Sequence, residues 1–160
     1  MAAEDQPEIE RRGYINIVVV SWADLVLDSE NPRLEDGGDN SRETLNYLVE
    51  SETEKQIALA RHIASSGALN PLDLIGVISD DDGAYVVVEG NRRVAALKML
   101  KSPELVNDLK LRRRIEKIAE NGTGPDDVTC TWFDERDASR PWILLRHRGE
   151  QEGRGVVPWT

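Results

Sequence analysis

Hydrophobic and polar positions change period several times along the chain, and the sharpest change falls between residues 85 and 100. Tyr85-Val86-Val87-Val88 is a β-branched run, Glu89-Gly90 interrupts it, and Val94-Ala95-Ala96-Leu97 and Met99-Leu100 follow as good helix formers. β-branched residues fit a pleated sheet, whereas Ala, Leu and Met lose little rotamer freedom in a helix. The stretch therefore predicts a strand ending at Glu89, a glycine corner and a helix that begins at once.

The flanking patterns predict a mixture of strands and helices. Tyr14 to Val20 is β-rich and reads as a strand, and Ser21 to Leu25 reads as a Ser-capped short helical turn. Turn residues dominate 28–40, where Pro32 holds Asn31 outside the helical region. Helical spacing then runs from about Ser41 to Ser66, with Ile57, Ala60, Ile63 and Ala64 on one stripe and Gly67 just past the end. Leu74 to Ile78 predicts a strand, Asp80 to Gly83 a hairpin loop, and Ala84 to Val88 the return strand. Ser102-Pro103-Glu104 reads as a helix restart, with the apolar pattern Leu105, Leu109, Ile115, Ile118 ending at Asn121-Gly122. Val128 to Phe133 alternates as a strand, and Ser139 to His147 predicts a last helix with Pro141 near its start. Met1 to Arg12 shows no periodicity. The expected organisation is a loose acidic terminus over 1–13, a domain over 14–135 and a helical extension over 136–160, whose close without cap or tail leaves room for a longer chain.

Composition narrows this picture. A chain of 160 residues is one domain's worth, and 39% hydrophobic with 31% charged residues is ordinary for a globular protein. No apolar run approaches bilayer length, no signal-peptide layout precedes the first strand, and no membrane partner is expected. The single cysteine, Cys130, excludes an internal disulfide framework and makes a reducing, cytoplasmic setting natural. The net charge is −10, but residues 1–54 carry all of that excess and residues 55–160 are balanced. Within 92–117 nine basic residues face three acids, so a basic face can exist on an acidic protein. A phosphate-bearing partner stays admissible. Indiscriminate DNA coating does not.

The corner carries the sharpest chemistry. A helix start leaves its first N–H groups unpaired, with the positive end of the dipole behind them. Gly90 permits close backbone approach, Arg92 and Arg93 add ionised donors, and Asn91 a neutral one, so the corner predicts a phosphate site. Against this, the arginines read equally as surface residues, and two neighbours on a helix diverge by about 100°. Glu89 is either a partner for magnesium or a hydroxyl, or simply an anion at a helix N-terminus. In the box Glu30-Asn31-Pro32-Arg33, Glu30 is the candidate general base or metal ligand and Arg33 a phosphate contact; the plain alternative is a turn. Arg112-Arg113-Arg114 and Arg146-His147-Arg148 read as solvated faces or as contacts to DNA phosphates. Asp80 to Asp82 lacks the ligand spacing of a calcium loop, and Cys130, His62 and His147 lack that of a zinc site, so no metal ligands are assigned.

Taken in order, Glu30-Asn31-Pro32-Arg33, then Gly67 with Asn70-Pro71-Leu72, a hairpin, and Glu89-Gly90-Asn91-Arg92-Arg93-Val94-Ala95-Ala96 resemble the N-terminal domain of ParB and the wider ParB/sulfiredoxin fold. The resemblance covers about residues 14–100. It implies an α+β fold, a small mixed sheet flanked by helices, that binds a nucleotide, ATP or CTP, with the second box on the phosphates. Members hydrolyse the nucleotide, transfer phosphate, nick DNA or load onto it, so an NTP-dependent switch, an NTPase and a magnesium-dependent nuclease are all implied. A homodimer is compatible with it. Asn91 stands where ParB has glutamate and sulfiredoxin its reactive cysteine, which disfavours sulfiredoxin-type reduction and removes the ParB carboxylate. No helix-turn-helix region or Asn-Asn-Arg-like box is present to support a full chromosome-partition role.

Overall fold

The computed structural model describes residues 6–29, 41–147 and 154–155. Among them run β1 (Glu10–Arg12), β2 (Ile15–Ser21), β3 (Leu25–Leu27), α1 (Ser41–Ser51), α2 (Thr53–Ser66), β4 (Ile75–Ser79), β5 (Tyr85–Glu89), α3 (Asn91–Lys101), α4 (Leu109–Ala119), β6 (Asp127–Phe133) and α5 (Arg136–His147). This is the expected α+β class. The strands form one mixed sheet in the order β1-β2-β6-β4-β5-β3. β1–β2, β2–β6 and β4–β5 pair antiparallel, while β6–β4 and β5–β3 pair parallel.

Strand alternation decides which face meets the core. Val18 and Val20 are buried while Val19 between them is 49% exposed, so one face of β2 is covered and the other is not. Central β4 is buried from Ile75 through Ile78. Over the covered face lies α3, whose residues Val94 to Leu100 are all buried, as befits a helix packed by α1, α2 and α4. Lys98 is accommodated there by donating Nζ to the Trp22 carbonyl at 3.2 Å and lying over the Trp22 ring. Burial lowers its pKa, and Asp24 opposes that shift.

Four differences from the sequence expectation have local causes. The helical span 41–66 is two helices broken at Glu52, where no Gly or Pro announces the break. Residues 103–105 form only a 3₁₀ turn, and α4 starts later, at Leu109, capped by Asp108, whose side chain accepts from Lys110 and Leu111 N–H. Glu10–Arg12, expected to be loose, pairs with β2, because backbone hydrogen bonds order a strand whose side chains are all exposed. α5 begins at Arg136 and packs against β5 and β6. No helix among the described residues is long and apolar enough to cross a membrane.

The register sets the site. Gly76 pairs with Glu89 and Leu27 with Val87, so the ends of β3 and β5, the start of β4 and the start of α3 gather at one end of the sheet.

Candidate functional site

Gly90 joins β5 to α3 with φ +98, in the left-handed region that favours glycine. A Cβ there would overlap Ile75 Cδ1 and stand 2.9 Å from Arg93 Nη2, so no larger residue fits without displacement. Val94 N–H closes the first helical bond on the Gly90 carbonyl at 3.0 Å. Gly90 offers no capping side chain, and the N–H groups of Asn91, Arg92 and Arg93 have no acceptor among the described residues.

Asn91 departs from its expected part. Its side chain is buried, with Oδ1 accepting from Asp28 N–H at 2.9 Å and Nδ2 donating to the Val87 carbonyl at 2.9 Å. The carboxamide clips β3 and β5 to the start of α3, with Oδ1 and one Nδ2–H engaged inside the fold. The two arginines diverge as the helical period requires. Arg92 turns back to α2, with Nε 3.4 Å from Glu52 Oε2 in an ion pair that lacks hydrogen-bond geometry. Its carbonyl accepts from Gln56 Nε2 at 2.7 Å, and Gln56 Oε1 is buried with no partner among the described residues.

Arg93 is the arginine of the corner. It folds back beside Gly90, donates to the Asp73 carbonyl and stands 3.6 Å from Asp73 Oδ2. Burial pushes its pKa below the ordinary value, Asp73 and Glu89 act the other way, and Arg146 adds to the lowering. A guanidinium still carries its charge throughout the neutral range.

The end of α5 arrives at the same place. Arg146 Nη2 lies 2.6 Å from Asp73 Oδ1, and His147 Nε2 lies 2.6 Å from Glu89 Oε2. The start of α5 is tied as well, since Arg136 spans both carboxylate oxygens of Asp28, at 2.6 and 3.2 Å. Two expected groups of residues, the corner and the C-terminal helix end, therefore meet. Asp73 and Glu89 balance the charges of Arg93 and Arg146. What is left over for an incoming anion is the positive end of α3.

The other expected contacts are dispersed. Arg112 clasps its own connection, with Nε on the Val106 carbonyl at 2.9 Å, and Arg113 is exposed. Arg114 makes a bidentate pair with Glu54 at 3.0 Å, and that hydrogen bonding, followed by the Arg114 charge, holds the Glu54 carboxyl below its ordinary pKa. Arg61, Arg114 and Lys117 line a cleft of about 290 Å³ between α2 and α4. A second cleft of about 370 Å³ lies between Ala68–Ile75 and the start of β6, with Asp73 on its wall. Burial lifts the Cys130 thiol to about 12, which suits a core filler and not a nucleophile. Glu30, Asn31, Arg33 and Arg148 lie outside the described residues. Among the described residues no group of three or more His, Cys, Asp or Glu is placed to hold a metal ion.

Sequence reasoning passed over Asp28, Asp73, Gln56 and Arg136. Their parts come entirely from tertiary contact, and only Asp73, following Asn70-Pro71-Leu72, stood inside a stretch already singled out. Comparison of the chain with protein-family models, curated proteins and solved structures gave no match.

Proposed function

We propose that the chain is a ParB/sulfiredoxin-like domain that binds the phosphates of a nucleoside triphosphate, ATP or CTP, at the start of α3, and works as an NTP-dependent switch or slow NTPase in a DNA-related process. The observation that carries this is the run of three N–H groups without an acceptor among the described residues, Asn91 to Arg93, behind a left-handed glycine and beside Arg93, Arg146 and His147. Backbone donors at a helix start together with guanidinium groups favour an anion, the dipole alone by roughly 0.3–1 kcal/mol and up to about 2 kcal/mol when partly buried. The family resemblance supports the same place, since the Glu89-to-Ala96 box falls on the strand-to-helix corner.

Binding would require Arg93 and Arg146 to exchange part of their contact with Asp73 for phosphate oxygens. Magnesium fits only as a companion of the nucleotide. The described residues supply no ligand set of their own, and Glu89 is engaged by His147. Thermal unfolding with ATP, CTP or GTP, with and without magnesium, tests the proposal. A ligand at one hundred times its dissociation constant adds about 2.7 kcal/mol. No shift with any nucleotide overturns it.

One observation favours a second reading, docking on a DNA backbone: the α2–α4 cleft holds Arg61, Arg114 and Lys117 with Arg113 exposed nearby on α4. Duplex binding that does not weaken as salt rises would refute a phosphate grip of that kind. A ParB-like nuclease using Glu30 and Glu89 is tested by plasmid nicking. Nicking that survives Glu30→Ala and Glu89→Ala removes it.

A further inference from the structure

We propose that His147 and Glu89 form a general-base dyad that hydrolyses the terminal phosphoanhydride of the bound nucleotide. This rests on the phosphate reading above and assigns its hydrolysis to two residues. Glu89 is the last residue of β5, next to the left-handed Gly90, with its side chain 16% exposed. Its Oε2 is 2.6 Å from His147 Nε2, and the His147 side chain is 47% exposed. With Nε2–H donated to the carboxylate, the lone pair of the imidazole is on Nδ1, which has no partner among the described residues. A carboxylate behind one ring nitrogen fixes the tautomer and stabilises the imidazolium that forms when the other accepts a proton.

A purely mechanical part for the pair is poorly matched to its setting. α5 is already held at its start by Arg136 on Asp28 and at its end by Arg146 on Asp73. A half-exposed His–Glu contact adds roughly 0–1 kcal/mol to such a clamp. Among the described residues, the charged groups around the pair are Asp73 before β4, Arg93 on α3 and Arg146 on α5. The α3 N–H groups can take up charge on the phosphoryl oxygens, and so can each guanidinium once it exchanges part of its contact with Asp73.

In the step, a water held on His147 Nδ1 attacks the terminal phosphorus. A new P–O bond forms as the bond from that phosphorus to the bridging oxygen breaks, and the bridging oxygen keeps the electron pair. The water proton passes to Nδ1, Glu89 stabilises the resulting cation, and the proton is then lost to solvent. The products are a nucleoside diphosphate and inorganic phosphate. His147 is the general base and Glu89 positions it.

The test is phosphate release from ATP and CTP by the intact chain, with nucleotide binding measured separately by calorimetry. Removal of a general base is expected to lower kcat by about 10²–10⁴-fold in His147→Gln, with Kd within a few-fold of the parent. Glu89→Gln should fall less. Added imidazole should raise the rate of His147→Gly, a response that a merely structural contact would not give. Binding without phosphate release, a His147→Gln rate equal to the parent, or no response to imidazole overturns the dyad while leaving the phosphate site standing. Absence of nucleotide binding by the parent chain removes both.

Discussion

Gly90→Ala is expected to be among the more damaging single-methyl additions in the fold, and its cost can be divided into two parts. The first is conformational: at φ +98 an L-residue is strained by roughly 1–2 kcal/mol. The second is steric. The new Cβ would overlap Ile75 Cδ1, and Ile75 is 1% exposed in the core, so its methyl cannot move into solvent. Overpacking of that kind costs about 1–3 kcal/mol. The sum, about 2–5 kcal/mol, is a large share of the roughly 5–15 kcal/mol that holds a domain together. Gly83→Ala is the matched control, since Gly83 has φ +82 and nothing within 4 Å of its Cβ position, and should lose only the conformational part. Urea unfolding followed by circular dichroism, with both variants extrapolated to water, gives the difference. If Gly90→Ala costs no more than Gly83→Ala, the packing of Ile75 and Arg93 around the corner is wrong. A folded Gly90→Ala protein should also bind nucleotide more weakly, because the Cβ stands 2.9 Å from Arg93 Nη2 and must push that group off its place.

Three further outcomes follow from contacts elsewhere. Arg112→Ala should destabilise by roughly 1–2 kcal/mol by stripping the Val106 carbonyl of its partner, whereas Arg113→Ala should be silent in the same denaturation assay. Glu54→Gln should leave the denaturation midpoint unchanged, because its pair with Arg114 is on the surface. Cys130 should resist a thiol reagent in the native protein and react promptly in urea. Because its folded pKa of about 12 lies above the ordinary 9.0, its stabilising share is complete below pH 9 and is lost as pH rises from there toward 12. A Cys130→Ala protein should lack that alkaline component.

The corner was legible because three signals coincide within sixteen residues: a β-branched run, a glycine and a run of helix formers. Segments of three residues were not. β1 and β3 are held by backbone pairing, and neither Glu10-Arg11-Arg12 nor Leu25-Val26-Leu27 is long enough to show a period. The break at Glu52 was equally silent, since Ser51-Glu52-Thr53 continues an acceptable helical composition. At the site, residue type pointed to Arg93 and Glu89 but could not say which arginine faces inward. That depends on where α3 begins, and so on Gly90 and Asn91. The meeting of His147 with Glu89 spans 58 positions and leaves no local trace. Chemistry carried on one turn is readable from sequence; chemistry assembled by a docked helix is not.

Asn91 is where residue type and structure pull apart, and one variant separates the two. As a ligand donor, Asn91→Ala would weaken nucleotide binding and leave stability nearly untouched. If it is a clip, its loss removes an acceptor from the Asp28 N–H and a donor from the Val87 carbonyl, in positions that are 4% and 0% exposed. At about 0.5–1.5 kcal/mol for each hydrogen bond lost, the expected loss is roughly 1–3 kcal/mol. Asn91→Asp restores only the acceptor for Asp28 N–H, since a carboxylate cannot donate to Val87, and should recover little. The Asp28 backbone held by Asn91 belongs to the residue whose carboxylate receives Arg136, at the start of the helix that returns His147 to Glu89. A loop of contacts thus runs from the corner through β3 and α5 and back to the corner. Loosening the clip should therefore loosen α5 as well, so that Asn91→Ala and His147→Gln together lose less stability than the two losses added. Strict additivity would refute that loop, and an Asn91→Ala protein of parental stability that no longer binds nucleotide would show instead that the carboxamide meets the ligand.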